Sequence, residues 1–208
     1  MTVAAIILAA GASRRMGSPK GLLPWGDRSL LAWEVDELMR SSVDDIVVVL
    51  GHHAEDIRRS LGDGARYCVF NQRWPQGRAT SLAKGAEALV AGGRAAPEAI
   101  VIQNVDQPTR ADIIDRLVGE LRSSGAEVVQ PSYLGKAGHP VVLAGSLIDE
   151  LIGATEATQG LRAILDRREV RLVPMDDEPV VRIDLDTPDL LDEGRRLLGV
   201  AGGSTSGG

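Results

Sequence analysis

Near the start of the chain, Leu8-Ala9-Ala10-Gly11-Ala12-Ser13-Arg14-Arg15-Met16-Gly17-Ser18-Pro19-Lys20 sets a turn of small residues beside two arginines and a lysine. Small residues let backbone N–H groups come close to an anion, and the cations neutralise it. The chemistry this suits is the handling of phosphate. Two familiar phosphate loops are excluded by spacing. A Walker A loop has four residues between its glycines and then Lys-Ser/Thr, whereas five residues separate Gly11 from Gly17 and Ser18-Pro19 precedes Lys20. The dinucleotide fingerprint G-x-G-x-x-G is absent as well. Carboxylates are the second chemical resource. Asp106 stands in Gln103-Asn104-Val105-Asp106-Gln107-Pro108, and Asp184 and Asp186 stand in Arg182-Ile183-Asp184-Leu185-Asp186-Thr187-Pro188. Carboxylate oxygens suit a hard cation such as Mg²⁺. Taken alone, an Asp near a Pro serves a turn or a helix N-cap as readily. Thr187 and Pro188 read as the cap and first turn of a last helix.

These residues must be positioned by the elements around them. Short apolar runs predict strands over 4–9, 45–50, 65–70, 99–103, 127–130, 140–143, 170–174 and 181–183. Helical patterns lie between them, over 29–41, 54–61, 79–91, 110–124, 146–151, 160–167 and 188–198. Such alternation argues for an α/β fold: a Rossmann-like three-layer α/β/α sandwich with a mainly parallel sheet. Ligands in these sheets bind beyond the carboxyl ends of the strands. The loop from Ala10 to Lys20 and the segment around Asp106 both fall at such ends. Extended backbone over 181–186 would put Asp184 and Asp186 on one side.

The chain has 208 residues, which suits one domain over 1–200 followed by a Gly/Ser-rich tail over 201–208. Hydrophobic residues make up 44% and aromatics 3%, so Val, Ile, Leu and Ala must fill the core. A net charge of −6 disfavours nucleic acid as a partner and makes the cations near residue 15 a local exception. Cys68, the single cysteine, permits no internal disulfide and no Cys-based metal site. It reads as a structural residue of a buried strand. No run approaches the 18 apolar residues of a membrane span. The apolar start lacks the order of a secretory signal, its arginines following the run instead of preceding it. A cytoplasmic protein is expected.

The pattern L-A-A-G-x-S-x-R-M-G-x-x-K resembles the nucleotidyltransferases that move a nucleoside monophosphate from a nucleoside triphosphate. Within them it is most similar to the molybdenum cofactor cytidylyltransferases and their guanylyl relatives. The likeness extends over about residues 3–195. It implies that the backbone of Leu8, Ala9, Ala10 and Gly11 holds base and ribose, that Arg15 contacts the outer phosphates, and that Lys20 stabilises the α-phosphate. It makes Asp106 and Asp186 ligands of Mg²⁺, with Mn²⁺ as the alternative, and Asp184 a weaker candidate. The run Asn71-Gln72-Arg73-Trp74-Pro75-Gln76-Gly77-Arg78-Ala79-Thr80-Ser81-Leu82 resembles N-x-x-W-x-x-G-x-x-x-S-L of the cytidylyl branch. Gly77 and Ser81 are then candidates against the nucleoside, although Ser81 serves equally as an ordinary first-turn residue. Gly138-His139-Pro140-Val141 resembles the part of this branch that faces the acceptor, so Gly138 and His139 join Arg162 as acceptor-side candidates. His139 alone reads as structural as readily as functional.

Two positions depart from the pattern. Thr158 stands where a stretch reading roughly G-D-x-G-A-R carries Asp, with Gly160 and Arg162 retained, and Asn104 stands where glycine is frequent. The resemblance implies transfer of CMP from CTP to a molybdopterin-type cofactor with release of pyrophosphate, the product passing to a molybdoenzyme. Ala10 favours cytidine, because the guanylyl relatives tend to carry Gly there. The alternatives are GTP with the same cofactor, a sugar phosphate or other phosphorylated alcohol as acceptor, and a non-catalytic protein that carries the cofactor.

Overall fold

The computed structural model describes residues 2–12 and 17–201. Runs rich in Val, Ile and Ala, with few polar interruptions, form strands that bury both faces. In chain order the strands are β1 (Val3–Ala9), β2 (Pro24–Trp25), β3 (Arg28–Ser29), β4 (Asp45–Leu50), β5 (Cys68–Phe70), β6 (Ala99–Asn104), β7 (Val128–Tyr133), β8 (Lys136–Ala137), β9 (Val141–Ala144) and β10 (Val170–Pro174). The helices are α1 (Leu30–Arg40), α2 (Ala54–Ser60), α3 (Arg78–Leu89), α4 (Ala111–Ser124), α5 (Ile148–Ile152), α6 (Leu161–Asp166) and α7 (Pro188–Leu197).

The sheet order is β10-β7-β9-β6-β1-β4-β5, with β8 added to β7 and the β2–β3 hairpin apart. β1 is central and pairs in parallel with β4 and β6. β4 pairs in parallel with β5, and β7 with β10. β9 runs antiparallel between β6 and β7, so the sheet is mixed but mostly parallel, as expected. The chain leaves β1 toward β4 and β5, then returns to lay β6 on the opposite side of β1. Connections therefore depart in both directions from the carboxyl end of β1, and a crevice opens there.

Alternation along β1 feeds two cores. Val3, Ala5, Ile7 and Ala9 face a layer holding Leu30, Leu31, Ile57, Ile113, Leu117 and Leu191, from α1, α2, α4 and α7. Ala4, Ile6 and Leu8 face Leu82, Ala86, Leu151 and Ile164, from α3, α5 and α6. Each fully buried Leu, Ile or Val contributes roughly 1.5–3 kcal/mol, and this supports the fold with almost no aromatic content. Helix ends follow local chemistry. The Ser29 hydroxyl accepts from the Ala32 N–H at 3.3 Å and starts α1. The Thr187 hydroxyl accepts from the Leu190 N–H at 3.3 Å, with Pro188 in the first turn of α7.

Two expected strands are corrected. Residues 181–183 form no strand: Pro179–Arg182 winds as a 3₁₀ turn, Val180 and Val181 are buried, and the chain then runs extended without a ladder. Pro179 lacks the N–H that a ladder needs and suits the first turn of a helix. Strand pairing in the 65–70 run is confined to Cys68–Phe70, because Gly62–Tyr67 is a 3₁₀ segment. Cys68 is half-buried rather than buried, since β5 is the edge of the sheet. Desolvation still pushes its thiol up to about 11, so it stays protonated and inert.

Candidate active site

A cleft of about 670 Å³ opens over the carboxyl ends of β1 and β6. One wall is the turn after β1, with Leu8, Ala9, Ala10 and Gly11; Lys20 and Gly21 follow it. The facing wall is the start of α3 and the turn before it, with Trp74, Gly77, Arg78 and Ser81. Asn104, Val105, Asp106, Asp184 and Asp186 also line it.

Lys20 begins a short 3₁₀ turn and is buried. Its Nζ donates to Asp106 Oδ2 at 2.8 Å and to Asp186 Oδ1 at 2.6 Å, and lies 4.0 Å from Asp184 Oδ1. Burial alone would lower the pKa of this ammonium. The hydrogen bonds and charges of Asp106 and Asp186 outweigh it and raise the pKa, so Lys20 stays charged. The carboxylates come from distant parts of the chain and are tied together through backbone. Leu185 N–H donates to the Asp106 carbonyl at 2.8 Å, and Asp186 N–H to the Asp184 carbonyl at 2.8 Å. The Asp184 carboxyl is held above its usual range by burial and then by repulsion from Asp106 and Asp186, against the pull of Lys20 and Arg78.

Asp106, Asp184 and Asp186 each offer one oxygen, and these oxygens lie within 4.8 Å of one another. Asp184 Oδ1 is buried with no hydrogen-bond partner among the described residues. Three convergent carboxylate oxygens, one of them orphaned, fit a hard divalent cation. Asp184, the weaker candidate in the sequence, is thus placed with the other two.

The α3 wall is built on close packing. Asn71 is buried at the end of β5 and donates to Thr80 Oγ1 at 2.9 Å and Ser81 Oγ at 3.0 Å. Ser81 is therefore both a first-turn residue and a lining one, its hydroxyl proton left to point elsewhere. Gly77 has φ 123°, and a Cβ there would lie 2.3 Å from the Glu156 side chain. Glu156 accepts from the Ala79 N–H at 2.5 Å and fills the amino terminus of α3. The loop carrying Thr158 thus reaches the wall through Glu156. Thr158 itself bonds within that loop, to Thr155.

The acceptor-side candidates are less gathered. Among them, Gly138, His139 and Arg162 do not line the cleft. Gly138 packs where a Cβ would lie 2.3 Å from the Val181 carbonyl oxygen. His139 precedes a cis peptide bond to Pro140, and its N–H donates to the Val181 carbonyl at 2.8 Å. Its ring is brought down to about 4 by burial and then by the charge of Arg78, with Asp106 opposing and Arg182 adding, so it is neutral at pH 7. Arg162 is exposed and lies 3.6 Å from Asp166. Arg15 falls outside the described residues, as does the tail over 202–208.

Arg78 was missed in the sequence although it sits inside a quoted motif. Its signal was a cation directly after a glycine that opens a helix. Glu34 was missed too: it is fully buried on α1, and desolvation raises its carboxyl well above the ordinary range.

The family described as MobA-like NTP transferase domain matches residues 5–172. The chain belongs to this family of nucleotidyltransferases. The molybdenum cofactor cytidylyltransferase of Escherichia coli is 26% identical over 187 residues, which take in 88% of this chain and 91% of that protein. The nicotine blue oxidoreductase of Paenarthrobacter nicotinovorans is also 26% identical, over 194 residues, 89% of this chain and 92% of that one. The bifunctional protein GlmU of Symbiobacterium thermophilum is 31% identical over 144 residues, 64% of this chain, but the match spans only 30% of that longer protein. Among solved structures, Rv0371c of Mycobacterium tuberculosis superposes with a TM-score of 0.77 at 25% identity, covering 96% of this chain and 98% of that one. The same mycobacterial protein has been solved in complex with manganese.

Proposed function

We propose that this nucleotidyltransferase moves CMP from CTP to the terminal phosphate of a molybdopterin-type cofactor and releases pyrophosphate, with residues 1–200 acting as one domain. The observation that carries the chemistry is Lys20 held between Asp106 and Asp186 at the floor of the cleft. The specific substrates draw support from the Escherichia coli cytidylyltransferase, similar over nearly its whole length. Ala10 and the Trp74 segment favour CTP over GTP. The manganese of the mycobacterial structure and the three carboxylates here are in keeping with Mg²⁺ or Mn²⁺.

Asp106, Asp184 and Asp186 would hold the divalent cation. Bound there, it would offset the negative charge of the triphosphate and help align it. The Lys20 ammonium would donate to the α-phosphate oxygens. Charge grows on those oxygens as the acceptor oxygen attacks, so Lys20 favours the transition state over the ground state. The N–H groups of Ala10 and Gly11 and the face of Trp74 position the nucleoside. Arg15 would meet the outer phosphates. Among the described residues no side-chain nucleophile is required, because the acceptor is already an anion; placement and electrostatics supply the rate.

Among the described residues no helix is long and apolar enough to cross a membrane. A cytoplasmic setting and a molybdoenzyme that receives the product belong to the same proposal. The test is pyrophosphate release with Mg²⁺ and molybdopterin, comparing CTP, GTP, ATP and UTP, with Asp106→Ala as control. Release with CTP alone, abolished in the variant, is expected. Release with GTP alone moves the base assignment, and absence of release with any of the four nucleotides moves the acceptor.

A further inference from the structure

We propose that Arg78 is the acceptor-binding cation of this cleft, placed to take the phosphomonoester group of the second substrate. The proposal rests on the nucleotidyl-transfer reading above. It adds a residue inside the cleft to the acceptor half of the site, whose sequence candidates Gly138, His139 and Arg162 do not line the cleft.

Nucleotidyl transfer brings two anions together. An oxygen of the acceptor phosphate forms a bond to the α-phosphorus, the α–β bridging bond breaks, and its electron pair leaves with pyrophosphate. Each anion needs cationic partners, and the two must be held apart from each other until they react. Among the described residues the cleft has two cationic side chains, Lys20 and Arg78. Lys20 rises from the β1 side against Asp106 and Asp186 and, in the reading above, serves the α-phosphate of the nucleotide. Arg78 stands on the α3 wall and has no hydrogen-bond or ion-pair partner among the described residues. Its neighbours differ: Arg73 lies 3.8 Å from Glu87, and Arg182 donates to the Ala137 carbonyl.

The position of Arg78 fits the task. Arg78 lines the same cleft as Lys20, Asp106, Asp184 and Asp186, at the start of α3 on the wall that faces the turn after β1. The amino terminus of α3 is not the anion site, because Glu156 already fills it at the Ala79 N–H. An incoming phosphate therefore meets the Arg78 side chain. A guanidinium binds two phosphate oxygens side by side and orients the third toward its target, which a lysine does not do as well.

Methyl phosphate is the probe. It is titrated by calorimetry into the full chain saturated with Mg²⁺ and a CTP analogue bearing a methylene bridge between the α- and β-phosphates, for wild type, Arg78→Ala and Arg78→Lys. Loss of a charge-assisted contact corresponds to at least about a tenfold weaker affinity. That loss is expected for Arg78→Ala, with Arg78→Lys intermediate and affinity for the analogue within about twofold in all three. In turnover, Arg78→Ala should raise KM for the acceptor and leave KM for CTP in place. Equal methyl phosphate affinity in wild type and Arg78→Ala overturns the proposal. So does absence of methyl phosphate binding in wild type, or a loss that falls on the CTP analogue instead. If wild type binds methyl phosphate through Arg78 yet turns over no molybdopterin, the acceptor named under the proposed function fails and the subsite stands.

Discussion

Replacing Gly51 with Ala tests whether the wall of the cleft that carries Trp74 is set by packing. Gly51 follows β4, and its φ is not in the left-handed region, so alanine is conformationally acceptable there. Space is the constraint. A Cβ at this position would lie 2.6 Å from both Cβ and Cγ of Trp74 and 2.8 Å from the Ala10 carbonyl oxygen. Ordinary contact begins near 3.4 Å, so about 1 Å of movement is required. Ala10 follows β1 directly, and its carbonyl accepts from the His52 N–H at 3.1 Å, which leaves it little freedom. Trp74 is the part that gives. It is pinned by its backbone bonds to Asn71 and Gly77 and by the His52 ring at 5.2 Å, so the shift carries into the cleft. Overpacking of this kind costs about 1–3 kcal/mol, or roughly 3–9 °C in Tm for a chain of this size. A misplacement of about 1 Å beside the reacting groups lowers kcat/KM by up to roughly 10²-fold. Differential scanning fluorimetry and steady-state pyrophosphate release read the two effects. A variant with wild-type Tm and kcat/KM would refute the claim that Gly51 is needed to seat Trp74 against the turn after β1.

Lys20→Met removes the ammonium among three carboxylates. It should lower kcat by about 10²–10³-fold and lower stability in EDTA by about 3 kcal/mol. Mg²⁺ should then raise the Tm of the variant more than that of wild type, and equal Mg²⁺ shifts would count against a shared cation site. His139, brought down to about 4, is neutral when folded and takes up a proton more readily when unfolded. Its contribution is present above about pH 6.5 and is lost as pH falls toward 4, up to about 3 kcal/mol. Urea unfolding in EDTA should therefore show a flatter acid limb for His139→Gln, and an unchanged limb would show that other groups govern it. Gly119 is exposed within α4, and a Cβ added there would meet nothing within 4 Å. Gly119→Ala should raise stability by about 1 kcal/mol without changing turnover, and a fall in Tm would contradict an open helix face at this position.

Which parts of this molecule could be read from the sequence follows from how local their causes are. β4 and β10 are found at the residues expected, because Ile46-Val47-Val48-Val49 is a β-branched run and Val170 and Val173 are β-branched in the other, a preference for extended backbone that is local. Thr187-Pro188 marked α7 for the same reason, since a cap and a first-turn proline act within about four residues. The 181–183 run reads as a strand and folds as a turn, because apolar burial is common to both and only the sheet can supply the ladder that distinguishes them. The site divides along the same line. Lys20, Asp106 and Asp186 were visible as motif residues, but their convergence depends on the adjacency of β1 and β6 and on the backbone bond from Leu185 to Asp106. Asp184 has the weaker signal in the sequence, because alternation says only which side a residue faces. Its orphaned oxygen within the cluster belongs to the tertiary structure. Arg78 has the least local signal of all. An arginine at the first turn of a helix is ordinary in a sequence, and it becomes a candidate for chemistry only when the fold leaves it without a partner among the described residues and sets it in the cleft that holds the carboxylates. Residues that build elements are thus legible from their neighbours in the chain. Residues that bind are defined by what the fold withholds from them, which a sequence does not display.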